Sequence, residues 1–255
     1  MSQIMLGKVV VITGGASGIG RSTALAFAGQ GARVVIGDID ANGAEDTVAM
    51  IRGMGGEANC VCADVTRSAD VQRMVQSAVD HFGALDYAFN NAGFVGALTG
   101  VVETSEEDWQ RALATNLTSV WLCMKYEIPE MLKRQRGAIV NNGSVVGLVG
   151  AGAAVGSVSS KHGVSGLTKA AALEYATRGI RVNAVAPGLV RTPLAMEKMA
   201  GALSKAAEQA LLSAVPQGRW CEPEEVAEVV VFLCSDAASH VTGHIMPVEG
   251  GWTAR

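Results

Sequence analysis

The sequence predicts an α/β fold, a doubly wound parallel sheet of about seven strands with helices on both faces. Short apolar runs alternate with longer helical patterns along the 255 residues. The runs are apolar almost throughout, which is typical of strands in a sheet covered on both sides. No linker or change of composition divides the chain, so residues 1–255 are expected to form a single domain.

The predicted strands are short, rich in valine, isoleucine and alanine, and mostly followed by glycine or a polar residue. They cover residues 8–13, 32–37, 58–63, 85–89, 138–142, 180–185 and 244–248. The predicted helices cover residues 21–30, 41–54, 69–82, 105–134, 155–177, 191–213 and 223–235. Ser105 followed by Asp108 makes a weak capping box, and Pro223 suits a first helical turn.

Composition narrows the class of function. Apolar residues make up 49% and charged residues 17% of the chain, so a large core is expected and disorder is excluded. A net charge of -4 without a basic block argues against a nucleic-acid partner, and no apolar run is long enough to predict a membrane partner. Five cysteines without a CxxC pair predict neither a metal site nor a redox pair, but free thiols in a reducing cytoplasm.

A glycine-rich turn follows the first predicted strand and precedes a helix. Small side chains there let backbone N–H groups approach a pyrophosphate, and the helix directs its positive end at the same anion. A glycine triplet alone is a weak signal, but this one lies in the required context of strand and helix. The candidate phosphate-binding residues are Gly14, Ser17, Gly18, Ile19 and Gly20.

Asp38 follows the second predicted strand. A carboxylate there can accept hydrogen bonds from both hydroxyls of an adenosine ribose and would repel a 2′-phosphate, so NAD is favoured over NADP. The alternative is that Asp38 is only a turn residue. Arg21 and Arg33 could pair with a phosphate, although simple solvation explains both positions equally well.

Further motifs recur in order along the chain, namely Asp64-Val65, Asn90-Asn91-Ala92-Gly93, Asn116, Ser144, Pro187-Gly188 with Thr192, Thr242-Gly243 and Gly250-Gly251. Together with T-G-G-A-S-G-I-G at residues 13–20, they make the sequence resemble a classical short-chain dehydrogenase/reductase along its whole length. The resemblance implies a Rossmann-type fold and an NAD(H)-dependent oxidoreductase that interconverts a secondary alcohol and its ketone by hydride transfer.

The resemblance also implies roles for individual residues in cofactor binding. Asp64 and Val65 would hold the adenine, and Val190 and Thr192 would bind the nicotinamide carboxamide. Lys161 would bind the nicotinamide ribose. Further cofactor contacts are expected from Asn91, Ala92, Gly93, Pro187 and Gly188.

Hydride transfer at an oxygen-bearing carbon needs a proton moved at that oxygen, donors that polarise the oxygen and a cation that tunes the acid. Ser144 is placed to donate to the substrate oxygen, Lys161 to supply the positive field, and Asn116 to hold a water that leads to Lys161. Each residue alone also has a purely structural explanation, as a strand-end cap, a solvated lysine or a buried helix hydrogen bond.

The family places its tyrosine acid/base four residues before the lysine, and here that position is Ser157. A serine hydroxyl is far less acidic and shorter in reach, so the protein is expected to be inactive or strongly impaired. None of Tyr87, Tyr126 and Tyr175 is placed to stand in, and His162 is expected to point elsewhere. Two origins fit: an engineered Tyr→Ser change in an otherwise complete enzyme, which is favoured, or a natural NAD-binding pseudoenzyme or sensor.

The substrate is expected to be mostly apolar. Residues 145–156 are small and apolar, and residues 191–213 would form a lid with an apolar side. The resemblance further implies a homotetramer, with residues 105–134 and 155–177 in one interface and Trp252 in another. Arg191 and Arg219 are weak candidates for an acid clamp. The predicted substrate wall comprises Val95, Val145, Val146 and Leu194, with Phe94 and Leu98.

Overall fold

The computed structural model describes residues 3–96, 98–200 and 205–254. Within them lie seven parallel strands in the order β3-β2-β1-β4-β5-β6-β7. The strands are β1 (Val9–Thr13), β2 (Arg33–Asp38), β3 (Glu57–Cys62), β4 (Tyr87–Asn90), β5 (Gly137–Asn142), β6 (Ile180–Pro187) and β7 (Ile245–Val248).

The helices are α1 (Gly18–Gly29), α2 (Ala41–Gly53), α3 (Ser68–Phe82), α4 (Glu106–Leu113), α5 (Ser119–Leu132), α6 (Val155–Tyr175), α7 (Pro193–Ala200), α8 (Lys205–Ser213) and α9 (Pro223–Cys234). The predicted single-domain, doubly wound α/β fold is thereby confirmed. None of the helices in the described ranges is long and apolar enough to span a membrane.

Alternation along the central strand creates two apolar layers. Val10 and Ile12 pack with α1, α2 and α9 on one face, whereas Val9 and Val11 pack with α3, α5 and α6 on the other. Because successive strand residues point to opposite faces, a run of valine and isoleucine can fill both layers. The sheet is therefore packed on both faces, and the carboxyl ends of its parallel strands lie at one edge.

The strand order reverses between β1 and β4. β2 and β3 lie on one side of β1, and β4 to β7 follow on the other. Connections that leave in opposite directions open a crevice at the carboxyl ends of these strands, where ligands bind in folds of this kind. The loops after β1, β2, β4, β5 and β6 all reach this edge.

The predicted continuous helix over residues 105–134 is wrong in its middle. A π-helical segment at Ala114–Thr118 separates α4 from α5 and contains Asn116. The spacing of apolar residues predicts which side of a helix faces inward, but it does not reveal that one helical turn contains an extra residue.

The fifth strand ends at Asn142 as predicted, and Ser144 is the N-cap of a short 3₁₀ turn over Val145–Gly147. One more predicted element differs from the structure. The helical segment 191–213 comprises two helices, α7 and α8, and residues 201–204 between them lie outside the described residues.

Candidate active site

Close packing explains the glycines of the loop after β1. Gly14 has φ +67, and a Cβ there would lie 2.9 Å from Asn91 Nδ2. At Gly20 a Cβ would overlap the Gly14 carbonyl oxygen. The loop after β1 therefore lies against the end of β4, and only glycine leaves its backbone accessible at these two positions.

The start of α1 faces the loop after β6. Ser17 is the exposed N-cap of α1, and its side chain makes no capping hydrogen bond. Gly18 has φ +52, and a Cβ there would lie 3.1 Å from Thr192 Cγ2. This cradle of glycines, with a helix N-terminus and an uncommitted hydroxyl, fits the pyrophosphate of a dinucleotide.

Asp38 ends β2 beside this cradle. Its Oδ2 accepts a hydrogen bond from Ala16 N at 2.9 Å, and its Oδ1 accepts one from Asp40 N at 3.0 Å. Each carboxylate oxygen has a further lone pair, so the side chain can still accept hydrogen bonds from a ribose diol. The structure thus fixes the carboxylate at the rim of the glycine-rich loop.

The two arginines that could have paired with a phosphate are held elsewhere. Arg21 donates from Nε to Thr47 Oγ1 at 3.0 Å and also bonds the Ala16 carbonyl oxygen. Arg33 donates to Glu57 Oε1 at 3.0 Å. Arg21 is thus held against α2 and the loop after β1, whereas Arg33 stays solvated at the surface, as expected, in an exposed ion pair.

The candidate adenine residues lie next to Asp38, because Asp38 pairs with Cys62 across β2 and β3. Asp64 Oδ1 accepts from Thr66 N at 2.9 Å and from Thr66 Oγ1 at 2.7 Å. Val65 is buried. The turn after β3 is thus ordered by its own hydrogen bonds.

Asn91 joins the ends of β1, β4 and β5. Its Nδ2 donates to the Thr13 and Gly14 carbonyl oxygens, each at 3.0 Å. Its Oδ1 accepts from Asn142 Nδ2 at 3.0 Å. Asn142 Oδ1 is buried and has no partner among the described residues. The motif residues after β4 therefore support the glycine-rich loop directly, with Ala92 half-buried and Gly93 exposed.

Lys161 lies on α6, and its Nζ donates to the Asn142 carbonyl oxygen at 2.6 Å. Burial lowers the pKa of Lys161 to about 8. Ser144 Oγ reaches the Pro187 carbonyl oxygen at 3.5 Å and accepts from Val146 N at 3.3 Å. A cationic group and a hydroxyl donor thus stand at the adjacent ends of β5 and β6.

Asn116 is buried and hydrogen-bonded, as its structural explanation expected, but its partners could not be read from the sequence. Its Oδ1 accepts from Phe94 N at 2.7 Å, and its Nδ2 donates to Phe94 O at 2.9 Å and to Ser160 Oγ at 3.5 Å. The side chain therefore pins the loop after β4 to the π-helical segment. The Arg111 guanidinium also lies 4.2 Å from the Phe94 ring centroid, a contact with no signal in the sequence.

Ser157 is half-buried in the first turn of α6, one helical turn before Lys161. His162 is exposed and bonds the Val158 carbonyl oxygen at 2.9 Å, pointing away as expected. The structure places each tyrosine outside this cluster: Tyr87 is in the core, Tyr126 bonds Ser68, and Tyr175 contacts Arg178.

The residues of the predicted substrate wall differ in exposure. Val145 is buried, so little of its surface is open to a ligand, whereas Val95 and Val146 are half-buried. Leu194 and Leu98 are exposed. Apolar character alone does not distinguish a side chain in the core from one that lines a site.

Neither arginine that was considered as an acid clamp is free. Arg191 bonds Glu222 at 3.1 Å, and Arg219 makes a two-pronged contact with Glu225 at 2.7 Å. Across the described parts of the chain, no group of three His, Cys, Asp or Glu side chains could hold a metal ion.

Comparison with known proteins connects this geometry to an enzyme family. A family profile described as enoyl-(acyl carrier protein) reductase matches residues 14–253. The cyclohexanol dehydrogenase of Acinetobacter sp. (strain SE19) is 46% identical over 100% of this chain and 98% of its own. These matches span nearly the full length of the chain.

Solved structures show the same overall architecture. Levodione reductase superposes with a TM-score of 0.95 at 35% identity and covers 98% of this chain and 99% of its own. A xylitol dehydrogenase with bound NAD+ has a TM-score of 0.92 at 33% identity, covering 97% and 99%.

Proposed function

Because the chain belongs to the classical short-chain dehydrogenase/reductase family of oxidoreductases, we propose that it is an NAD(H)-dependent oxidoreductase for a mostly apolar secondary alcohol and its ketone. The observation that carries the proposal is the joined cluster at the strand ends. Asn91 supports the glycine-rich loop, and Asn142 links Asn91 to Lys161. A dinucleotide site and a cation for proton chemistry are thereby held by one set of hydrogen bonds.

NAD(H) rather than NADP(H) is the proposed cofactor. Gly14, Ser17, Gly18, Ile19 and Gly20 would hold its pyrophosphate, and the ordered carboxylate of Asp38 would accept from the ribose diol and repel a 2′-phosphate. The remaining contacts would come from Asp64, Val65, Asn91, Ala92, Gly93, Lys161, Pro187, Gly188, Val190 and Thr192. Glycine at positions 14 and 20 lets this backbone pack against the end of β4, which supports the shape of the proposed phosphate site.

The bound cofactor supplies or accepts the hydride. Ser144 donates a hydrogen bond to the substrate oxygen and stabilises the charge that develops on it. Lys161 provides a positive field near the substrate oxygen. Because its pKa is about 8, the ammonium form predominates below that pH. Asn116 keeps its proposed role of holding a water toward Lys161, while its side chain positions Phe94.

We propose that Ser157 occupies the position at which the family has its tyrosine acid/base. Its hydroxyl is shorter and far less acidic than a phenol, so turnover is expected to be absent or strongly reduced. The rest of the catalytic cluster is intact, which favours an engineered substitution over gradual loss. The alternative proposal is a natural protein that binds NAD(H) without turnover.

The substrate is proposed to be a cyclic or otherwise apolar secondary alcohol. The relative named for cyclohexanol supports this, as do the half-buried Val95 and Val146 beside the site. Residues 191–213 would act as a lid over it, with Leu194 on its apolar side. Arg191 and Arg219, the two candidates for an acid clamp, are both paired to glutamates and are therefore not available to a carboxylate or phosphate on the substrate.

We further propose a homotetramer in the cytoplasm. Trp121 on α5 and Leu173 on α6 are 47% and 84% exposed, which suits an interface formed by these two helices. Trp220 is buried, with its Nε1 donating to Glu208, and so belongs to the core of the subunit. Trp252, in contrast, is half-buried next to β7.

A fluorescence titration with NADH tests the proposal, with two glycine variants as a matched pair. Gly20→Ala should abolish binding, because the new Cβ overlaps the Gly14 carbonyl oxygen. Gly29→Ala, at the other end of α1, should bind normally because no atom lies within 4 Å of its Cβ position. Failure of the wild-type protein to bind NADH would refute both the enzyme and the sensor. Cyclohexanol oxidation and cyclohexanone reduction then distinguish those two.

A further inference from the structure

A buried polar cluster lies behind the proposed site, between the sheet and α5. Glu127 on α5 is fully buried, as are Asn90, Asn141 and Thr168. Asn90 Nδ2 donates to Glu127 Oε2 at 3.1 Å and to Asn141 Oδ1 at 3.0 Å. Asn141 Nδ2 donates to Thr168 Oγ1 at 3.0 Å. The cluster thus connects α5, β4, β5 and α6.

Two atoms of this cluster have no partner among the described residues, Asn90 Oδ1 and Glu127 Oε1. They belong to the two side chains that already share one hydrogen bond. Both atoms are acceptors while Glu127 is ionised, so an ionised pair leaves both without a donor among the described residues. A buried acceptor without a donor is unfavourable, and a buried charge without a counter-charge is more so.

The surroundings of Glu127 offer no cation to balance a carboxylate. Its titratable neighbour is the buried Cys123 thiol, one turn earlier on α5, whose pKa burial raises well above its ordinary value, so that it stays neutral and supplies no counter-charge. The strands and α6 face the cluster with uncharged amide and hydroxyl groups, and α3 packs on this layer through apolar side chains such as Val71 and Val75. Burial raises the pKa of Glu127 to about 8.

We propose that Glu127 is a positioning residue, a neutral carboxylic acid that donates its proton to Asn90 Oδ1 while accepting from Asn90 Nδ2. This acid–amide pair satisfies both orphan atoms with a single proton. It fixes the last residue of β4, and the next residue, Asn91, holds the glycine-rich loop. Asn141 likewise precedes Asn142, which binds Lys161. Glu127 therefore acts on the site through the ends of two strands.

Infrared difference spectroscopy between the wild-type protein and Glu127→Gln tests the protonation directly. The spectrum should contain the carbonyl band of a protonated carboxylic acid near neutral pH, and this band should disappear as the pH rises through about 8. Glutamine can make the same two hydrogen bonds without a titrating group. A carboxylate band at neutral pH would overturn the proposal.

NADH affinity tests the positioning role, and this readout rests on the proposed function. The wild-type protein should lose about fivefold more NADH affinity than Glu127→Gln on passing from neutral to alkaline pH, since one buried hydrogen bond is lost. Lys161 titrates in the same range but does so in both proteins, so the comparison cancels its effect. Identical pH profiles would refute the positioning role.

A second variant separates packing from hydrogen bonding. Glu127→Leu fills the space but removes both proposed hydrogen bonds between residue 127 and Asn90, so it should weaken NADH binding at neutral pH, whereas Glu127→Gln should not. If Glu127→Leu does not fold, the infrared band and the pH dependence of NADH affinity in Glu127→Gln still test the proposal. If neither the wild-type protein nor the Glu127 variants bind NADH, both the proposed function and the positioning role are contradicted. The infrared band still tests the acid–amide pair, because it does not depend on NADH binding.

Discussion

Lys161 is bound to the backbone of Asn142, with 2.6 Å between Nζ and the carbonyl oxygen. The ammonium group therefore sits at the end of β5 rather than in solvent, although it is carried by a helix. The Asn142 side chain extends the connection to Asn91 at 3.0 Å. The position of the cation is thus determined by the sheet, and a change at Ser157 on α6 would leave it in place.

Replacement of Ser157 with tyrosine should raise the rate of ketone reduction by at least ~10², the amount expected of a positioned acid/base. A phenol one turn from Lys161 gains a cation that lowers its pKa. NADH affinity should stay within a few fold, because the cofactor contacts are untouched, and a rate effect without a binding effect indicates a group that acts in the transition state.

Ser159→Tyr provides the matched control for this experiment. It adds the same ring to the same helix, about 200° around the axis from Ser157, and should not change turnover. NADH oxidation with a panel of ketones that includes cyclohexanone is the measurement. If Ser157→Tyr binds NADH but stays inactive on the whole panel, the pseudoenzyme becomes the better description.

Removal of the Asp38 side chain should narrow the preference for NADH over NADPH. Asp38→Ala loses charge-assisted hydrogen bonds to the ribose, so NADH affinity should fall about tenfold. NADPH affinity should hold or improve because the repulsion of the 2′-phosphate is gone. Asp40→Ala changes an exposed carboxylate two residues away, which caps α2, and should retain the preference. Equal affinities for the two cofactors in the wild-type protein would contradict the role of Asp38.

Glu127→Gln should stabilise the protein at alkaline pH. The pKa of Glu127 is about 8 in the folded protein against an ordinary value of 4.5, so between these values the folded state retains a proton that the unfolded state releases. The free energy of unfolding of the wild-type protein therefore falls relative to Glu127→Gln by up to about 1.4 kcal/mol per pH unit in this window. Urea denaturation at a series of pH values measures the difference, and parallel curves for the two proteins would contradict the raised pKa.

Charged substitutions on α5 and α6 should dissociate the proposed tetramer. Trp121→Glu and Leu173→Glu place charges on exposed apolar positions, so light scattering should show a smaller assembly than the wild-type protein. Val102→Glu is the control, since Val102 is 90% exposed but lies in the loop before α4. A monomeric wild-type mass at micromolar concentration would refute the tetramer.

The sequence predicted the strands and helices better than the side-chain contacts between them. β-α alternation identified the fold class, and glycine spacing located the loop after β1, because both depend on neighbouring residues. The partners of Asn90 could not be found in this way. Glu127 follows it by many residues and looks like an ordinary polar position in a helix, and only the order of the strands brings the two together. The same holds for the contact between Asn142 and Lys161.

The π-helical segment at Ala114–Thr118 has a consequence for the two helices that it joins. One additional residue in a turn rotates everything after it by about 100°. As a result, α4 presents Ala112 to Gly156 at the start of α6, while α5 turns Val120 and Cys123 into the layer under the sheet. Deleting a single residue from the segment would restore a regular α-helix and put these two surfaces out of phase. The packing of α4 on α6 and of α5 under the sheet therefore depends together on the number of residues in this segment.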